Sequence, residues 1–313
     1  MENTVHKTDS PLPTANAFTA IVSTVIYLYM FVIFLCYWGF LLPSTILPIA
    51  PYKFETSRVA DDTATGILVD VALLLAFIIP HSILARTEVK AMMNLSPALE
   101  RPFFVLQTTI FMHLQMQFWQ EFDAPLIWNV QEPYSWGILA LFLFGFLFLF
   151  TATFALDHFW LFGLSQGYGI DFNKAFGLAA TDDADGFVVR WHYALCAHPI
   201  MTGMMIGLFA TPTMTASHLL FSVVNTAWMV GAIKHLEEPQ LTDLIGERYS
   251  EYLATVPRYV PSGSRCPFTG GNASGGCSFS SRPHRTDAIP LASNGSGGGY
   301  GTVKKYESPV LLE

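Results

Sequence analysis

The sequence predicts an all-α, polytopic helical membrane protein with about six membrane-crossing helices, including a C-terminal helical hairpin, and a disordered tail. Three observations predict it. Charged residues make up 13% of the 313-residue chain, against roughly 25% in an average soluble domain. Hydrophobic residues reach 52%, with 26 Phe. Apolar runs of about twenty residues, the length that crosses a hydrocarbon core as a helix, recur along the first 233 positions.

The first run covers 17–42 and stops at Pro43. It follows sixteen polar residues and is too long for a cleaved signal's apolar core, so it reads as a signal anchor. The second covers 66–84, the third 103–119 and the fourth 136–156. The fourth contains LALFLFGFLFLF, apolar on every face, which suits lipid contact. A short run at 200–211 meets Pro212 and is followed by 217–233, the pattern of a tight helical hairpin whose first arm barely crosses. From residue 262 the chain turns Ser- and Gly-rich (GGNASGG, SNGSGGGYG) and loses helical periodicity, the composition of a disordered tail. The expected organisation is a polar segment 1–16, a membrane domain 17–261 and the tail 262–313.

Loop charges orient the spans. Arg86, Lys90 and Arg101 follow the second span, and Lys174 and Arg190 follow the fourth. The loop between, 120–135, holds Glu121, Asp123 and Glu132 without Lys or Arg. Cationic loops belong in the cytoplasm, and with six crossings both termini lie there too. Lys53 and Arg58 in the first loop oppose this assignment. The net charge of −8 argues against a nucleic-acid partner. Cys36, Cys196, Cys266 and Cys277 are scattered, so they indicate neither a zinc site nor a disulfide framework.

Ionisable residues inside a span are costly and call for a reason. Asp70 and His81 lie eleven residues apart, three helical turns, and so share one face of the second span. They suit either a functional site or polar glue between helices. His113 and Gln117 share a face of the third span, where packing is the simpler reading. Asp157-His158 ends the fourth. The densest cluster is RWHYALCAHPIMTG at 190–203 with KHLEEPQLTDLIGERYSEY at 234–252. Glu237-Glu238 stands before Pro239, which pushes Glu238 from α geometry and predicts a helix junction. His198-Pro199 opens the hairpin's first arm, leaving early backbone N–H groups free for an anionic group. The hairpin returns the Glu pair to that same membrane face. A zwitterionic amino acid would then find its carboxylate matched by the helix start and its ammonium by a glutamate.

These elements resemble the integral-membrane methyltransferases that include isoprenylcysteine carboxyl methyltransferase. The pattern stands here as His198-Pro199…Gly203, then Glu237-Glu238, Gly246, Tyr249, Tyr252 and Val256-Pro257. The chain is more similar to the methanethiol S-methyltransferases. That likeness extends to His81-Ser82…Ala85-Arg86, Glu100-Arg101…Val105-Leu106, Thr153-Phe154…His158-Phe159…Gln166, and Pro212-Thr213-Met214…His218. It covers about residues 30–261. Nurim, a nuclear-envelope protein, resembles the same branch. Two positions depart from the pattern: Ala197 stands where it carries Arg, and Pro239 where a polar or basic residue is usual. Arg190, seven residues upstream of Ala197, is the candidate substitute cation.

The resemblance implies S-adenosylmethionine as cofactor and a small thiol, methanethiol, as substrate, with dimethyl sulfide as product. It implies cofactor binding by His198, Pro199, Gly203, Glu237, Glu238, Tyr249 and Arg190. His81 or His158 would take the thiol's proton. A nurim-like scaffold without activity and a prenylcysteine carboxyl methyltransferase are the alternative readings.

Overall fold

The computed structural model describes residues 12–54, 58–178, 189 and 191–260. Arg190, the expected tail 262–313 and most of the polar N-terminal segment lie outside the described residues.

Six helices form the body: α1 (Ala17–Leu41), α2 (Thr63–Leu84), α4 (Pro97–Phe118), α5 (Tyr134–Leu156), α9 (Pro199–Phe209) and α10 (Ala216–Ala232). Short helices α3 (Thr87–Met93), α6 (His158–Leu161), α7 (Leu164–Tyr168) and α8 (Phe172–Ala175) fill connections, and a 3₁₀ turn spans Trp191–Ala194. Beyond α10 a π-helical turn, Ile233–Glu237, leads into α11 (Glu238–Ile245) and α12 (Glu247–Thr255).

Local chemistry sets several boundaries. Asn16 and Thr19 form a capping box that satisfies the first donors of α1. Pro43 holds Leu42 in extended backbone, which ends that helix. Asp62 caps α2 by accepting from Thr65 N, and Thr215 caps α10 by accepting from His218 N. On α5 the wholly apolar surface splits in two. Phe142, Phe146 and Leu149 are buried, while Leu141, Leu143, Phe144 and Leu147 remain exposed, available to lipid.

The six helices alternate in direction, as their tethers show. The start of α1 meets the region after α5, where Thr19 Oγ1 donates to Gly167 O at 2.8 Å. At the opposite end, β1 (Arg58–Val59) pairs in parallel with β2 (Gln120–Glu121), and β3 (Trp128–Asn129) pairs antiparallel with β4 (Thr213–Met214). That last pair ties the turn of the α9–α10 hairpin to the loop between α4 and α5.

Four helices are long and apolar enough to cross a membrane: Ala17–Leu41, Thr63–Leu84, Tyr134–Leu156 and the continuous Ala216–Ile245. The expected count of six is not confirmed by this measure. Helix α9 has 11 residues, which rise only about 16 Å against a core of about 30 Å. Helix α4 carries Glu100, Arg101, Gln107, His113, Gln115 and Gln117, too polar a sequence to count as a span by composition.

Polar side chains in the spans tie helices together. Asp70 Oδ1 accepts from Gln120 N at 2.8 Å, just past the end of α4. His81 Nδ1 contacts Thr108 Oγ1 on α4 at 3.0 Å. His113 sits between Tyr29 Oη and Tyr52 Oη, at 2.9 and 2.7 Å. Asp70 and His81 therefore share α2 but engage α4 at different levels, His81 at its middle and Asp70 just past its C-terminal end. The most extensive helix pairing is α5 with α9. Gly203 and Gly207, four residues apart, present bare backbone to α5 at Gly145 and Phe146, the close approach that small residues allow in lipid.

Candidate functional site

The site forms where four chain segments converge at one end of the bundle. Residues 197–198 are laced to 257–258: Ala197 N donates to Pro257 O at 2.8 Å, and His198 N donates to Arg258 O at 3.0 Å. The His198 carbonyl receives Thr202 N and Thr202 Oγ1, at 3.0 and 2.9 Å. His198 thus caps the start of α9, with Pro199 in its first turn, where a missing N–H costs nothing. The His198 backbone is held through both its N–H and its carbonyl, and the imidazole it carries is buried.

From that position His198 reaches both glutamates. Its Nδ1 lies 3.2 Å from Glu237 Oε1, and its Nε2 lies 3.3 Å from Glu238 Oε1. Glu238 receives a second partner, Arg258, in a two-pronged pair: Nε donates to Oε1 at 2.7 Å and Nη2 donates to Oε2 at 3.1 Å. The hydrogen bond to Glu238 raises the Arg258 pKa above its ordinary value, so the guanidinium stays charged. Side-chain exposure is 50% for Arg258 and 10% for Glu238.

The two glutamates stand in one helix rather than at the expected break. Pro239 offers no N–H to the chain and its ring would clash with the carbonyl four residues back. The helix widens instead: Glu238 N donates to Ile233 O, the five-residue spacing of a π turn. The helical path continues into α11 with both carboxylates buried against His198.

Beside this network a small cleft is lined by His81, Ser82 and Ala85 from α2, Met201 from α9, and Trp228, Met229, Ala232, Leu236 and Glu237 from α10 and the π turn. Glu237 is the member of the acidic pair on its wall. His81 faces it from α2. Thr108 Oγ1 donates its own proton to Phe104 O at 2.9 Å, so His81 Nδ1 carries the hydrogen of the His81–Thr108 contact. The lone pair is then on Nε2, which has no hydrogen-bond partner among the described residues. Phe77 stacks on the imidazole at 5.3 Å, and Trp228 meets it edge-on while donating Nε1–H to Ser82 Oγ at 3.1 Å. The ring is held; one nitrogen is left open.

His81, His198, Glu237 and Glu238 are thus brought together around one cleft and its supporting network. His158 is not among them. Its Nε2 contacts Tyr27 Oη at 2.8 Å and its Nδ1 contacts Thr153 Oγ1 at 2.7 Å. Phe154 stacks on its ring at 4.2 Å. Gly203 faces α5, not the cleft: a Cβ there would meet Gly145 O at 2.4 Å. Tyr249 is buried with Tyr252, Val256 and Ala197 in a small apolar cluster behind the network. Ala197 is itself buried in that cluster, and Arg190 lies outside the described residues. Arg258 is the residue that sequence reasoning missed. The one signal for it was its place directly after Val256-Pro257, already part of the resemblance. Among the described residues no group of three or more His, Cys, Asp or Glu side chains has the arrangement of a metal site.

A polytopic helical membrane protein with a mainly apolar cleft beside a buried His–Glu–Glu network at one end of its bundle is the class these features define. The chain belongs to the methanethiol S-methyltransferase family. It is 38% identical over 200 residues to a methanethiol S-methyltransferase of a Pseudomonas species, covering 63% of this chain and 74% of that protein. It is 32% identical over 239 residues to methanethiol S-methyltransferase 1 of Bradyrhizobium diazoefficiens, covering 75% and 79%. Nurim of Xenopus laevis is 27% identical over 168 residues, covering 51% and 58%. No family model matches the chain, and no solved structure matches it.

Proposed function

We propose that this chain methylates methanethiol to dimethyl sulfide, using S-adenosylmethionine, at the cleft between α2 and the π turn. The observation that carries the reading is the cleft's pairing of an imidazole lone pair, His81 Nε2, with a carboxylate, Glu237, across an otherwise mainly apolar wall. Family membership supports the same chemistry. The cofactor, when bound, supplies a methyl group on a sulfonium sulfur.

The remaining work falls to the chain. His81 Nε2 accepts the thiol proton, and the Thr108 contact on Nδ1 fixes the tautomer that leaves Nε2 basic. The water-poor wall of Met201, Trp228 and Met229 would favour a reaction whose oppositely charged partners give neutral products. A carboxylate of the pair would hold the cofactor's ammonium, and the N–H groups at the start of α9 would suit its carboxylate. His198 and Pro199 shape that helix start. Gly203 and Tyr249 serve it from behind, through packing.

Within this proposal the α2 end, the α9 start and the π turn face the cytoplasm, with both termini. Support comes from Arg86, Lys90, Arg101 and Lys174, which follow helix ends on this side, and from a cytosolic cofactor supply. The unit is residues 17–261, six crossings in all, with the tail 262–313 dispensable.

The deciding experiment supplies methanethiol and S-adenosylmethionine to the purified protein in lipid nanodiscs and measures dimethyl sulfide in the headspace by gas chromatography. Cofactor-dependent dimethyl sulfide is expected. Its absence, with no cofactor binding by folded protein, would leave a nurim-like scaffold. Methylation of a prenylated cysteine alone would move the substrate to the prenylcysteine branch.

A further inference from the structure

Two neighbouring glutamates at one site invite the assumption that they share one job. Their partners say otherwise. Glu238 Oε1 accepts from Arg258 Nε at 2.7 Å and faces His198 Nε2 at 3.3 Å, while its Oε2 accepts from Arg258 Nη2 at 3.1 Å. A carboxylate has about four acceptor positions, and three face partners here, two of them the planar, bidentate guanidinium of Arg258. Its charge is matched by a guanidinium whose backbone is itself fixed through His198 N to Arg258 O. Glu238 also does not line the cleft.

Glu237 differs on each count. Its one polar neighbour among the described residues is His198, whose Nδ1 lies at ion-pair distance, 3.2 Å from Oε1, but outside hydrogen-bond geometry. Its Oε2 has no partner among the described residues, and the side chain lines the cleft opposite His81. His198, with one nitrogen toward each carboxylate, is a brace that holds the two apart.

We propose that the acidic pair is divided: Glu237 is the binding residue for a cofactor's α-ammonium group, and Glu238, locked by Arg258, is a positioning residue that sets His198 and through it Glu237. This rests on the S-adenosylmethionine reading of the cleft and adds to it the assignment of each carboxylate and a role for Arg258.

The test uses two neutral-sulfur probes on the full-length protein in nanodiscs. S-adenosylhomocysteine carries the amino acid group; 5′-methylthioadenosine lacks it. Their affinities, by calorimetry, give a discrimination ratio for the ammonium-bearing end. Glu237→Gln is expected to weaken S-adenosylhomocysteine about tenfold to a hundredfold, the range of one charge-assisted hydrogen bond, with the other probe changed by less than about threefold. Glu238→Gln and Arg258→Gln, which loosen Glu237 without removing it, are expected to weaken S-adenosylhomocysteine and lower the ratio by less than Glu237→Gln does, with 5′-methylthioadenosine little changed. Their double variant should be no worse than the weaker single one, because the two residues act through one contact. If Glu238→Gln does not fold, Arg258→Lys, which loses the two-pronged geometry but keeps the charge, carries that comparison. A ratio lost in Glu238→Gln and kept in Glu237→Gln overturns the assignment, as does a ratio kept in both. Wild-type protein that binds neither probe overturns the cofactor reading itself, a separate and recognisable result.

Discussion

Gly203 and Gly145 touch backbone to backbone: a methyl group added to Gly203 would stand 2.4 Å from the carbonyl oxygen of Gly145 and 2.8 Å from Leu149 N. Neither atom belongs to a flexible side chain, so relief requires α5 and α9 to move apart. Gly203→Ala is expected to destabilise the protein by about 1–3 kcal/mol, the usual cost of overpacking. Thermal unfolding in detergent measures it. A full-stability Gly203→Ala protein with lost cofactor affinity would instead return Gly203 to the binding site.

His81→Gln removes the proposed proton acceptor while keeping a polar side chain on α2. Turnover should fall on the order of 10²–10⁴-fold, the range for a positioned general base, with S-adenosylhomocysteine affinity little changed. Thr108→Ala frees the tautomer and should lower turnover less. His158→Gln breaks contacts with Tyr27 and Thr153 and should show its effect in the unfolding temperature. A larger turnover loss for His158→Gln than for His81→Gln would reverse the assignment of the base.

Placing an arginine before His198 is expected to harm this chain. Ala197 is 5% exposed and packs with Tyr249, Tyr252 and Val256. A guanidinium buried there without a partner carries a desolvation cost of several kcal/mol. Ala197→Arg should lower expression and unfolding temperature, whereas Ala197→Ser should be tolerated. Circular dichroism melts compare the two, and a stable Ala197→Arg protein would show that the cluster opens.

Sidedness has its own test. Asp123 lies exposed in the loop between α4 and α5, at the end opposite the cleft. In an otherwise cysteine-free chain, a cysteine at Asp123 should react with an impermeant maleimide applied outside intact cells. A cysteine introduced in the tail should not. Labelling of the tail from outside would invert the proposed orientation.

The long spans were legible because monotonous apolarity is enough to define them. The 17–42 and 136–156 readings fall within about two residues of α1 and α5. The start of α4 was not, since Glu100, Arg101 and Pro102 interrupt the apolar pattern. The structure absorbs them: Arg101 Nε donates to Leu161 O at 2.6 Å, and Pro102 packs under Gly163, whose φ of +83° brings the chain close. The His198–Glu pair was legible as a juxtaposition because the hairpin is local in sequence. Arg258 was not, because it reaches Glu238 only through the lacing of 197–198 to 257–258. The π turn was invisible too: Pro239 predicts a disturbance, and only tertiary packing decides between a break and a widened turn.

That widened turn makes chain length near the acidic pair a matter of phase. Successive residues of an ordinary helix point about 100° apart, and a π turn accommodates one residue more than the surrounding α-helix. Everything after residue 237 is rotated relative to everything before 233. Removing one residue from Ile233–Glu237 would let the helix relax to regular winding and turn α11, α12 and the Val256-Pro257-Arg258 segment out of step with α9. Relatives that differ here by a single insertion or deletion would then differ in which side chains meet at the cleft, even with every motif letter retained.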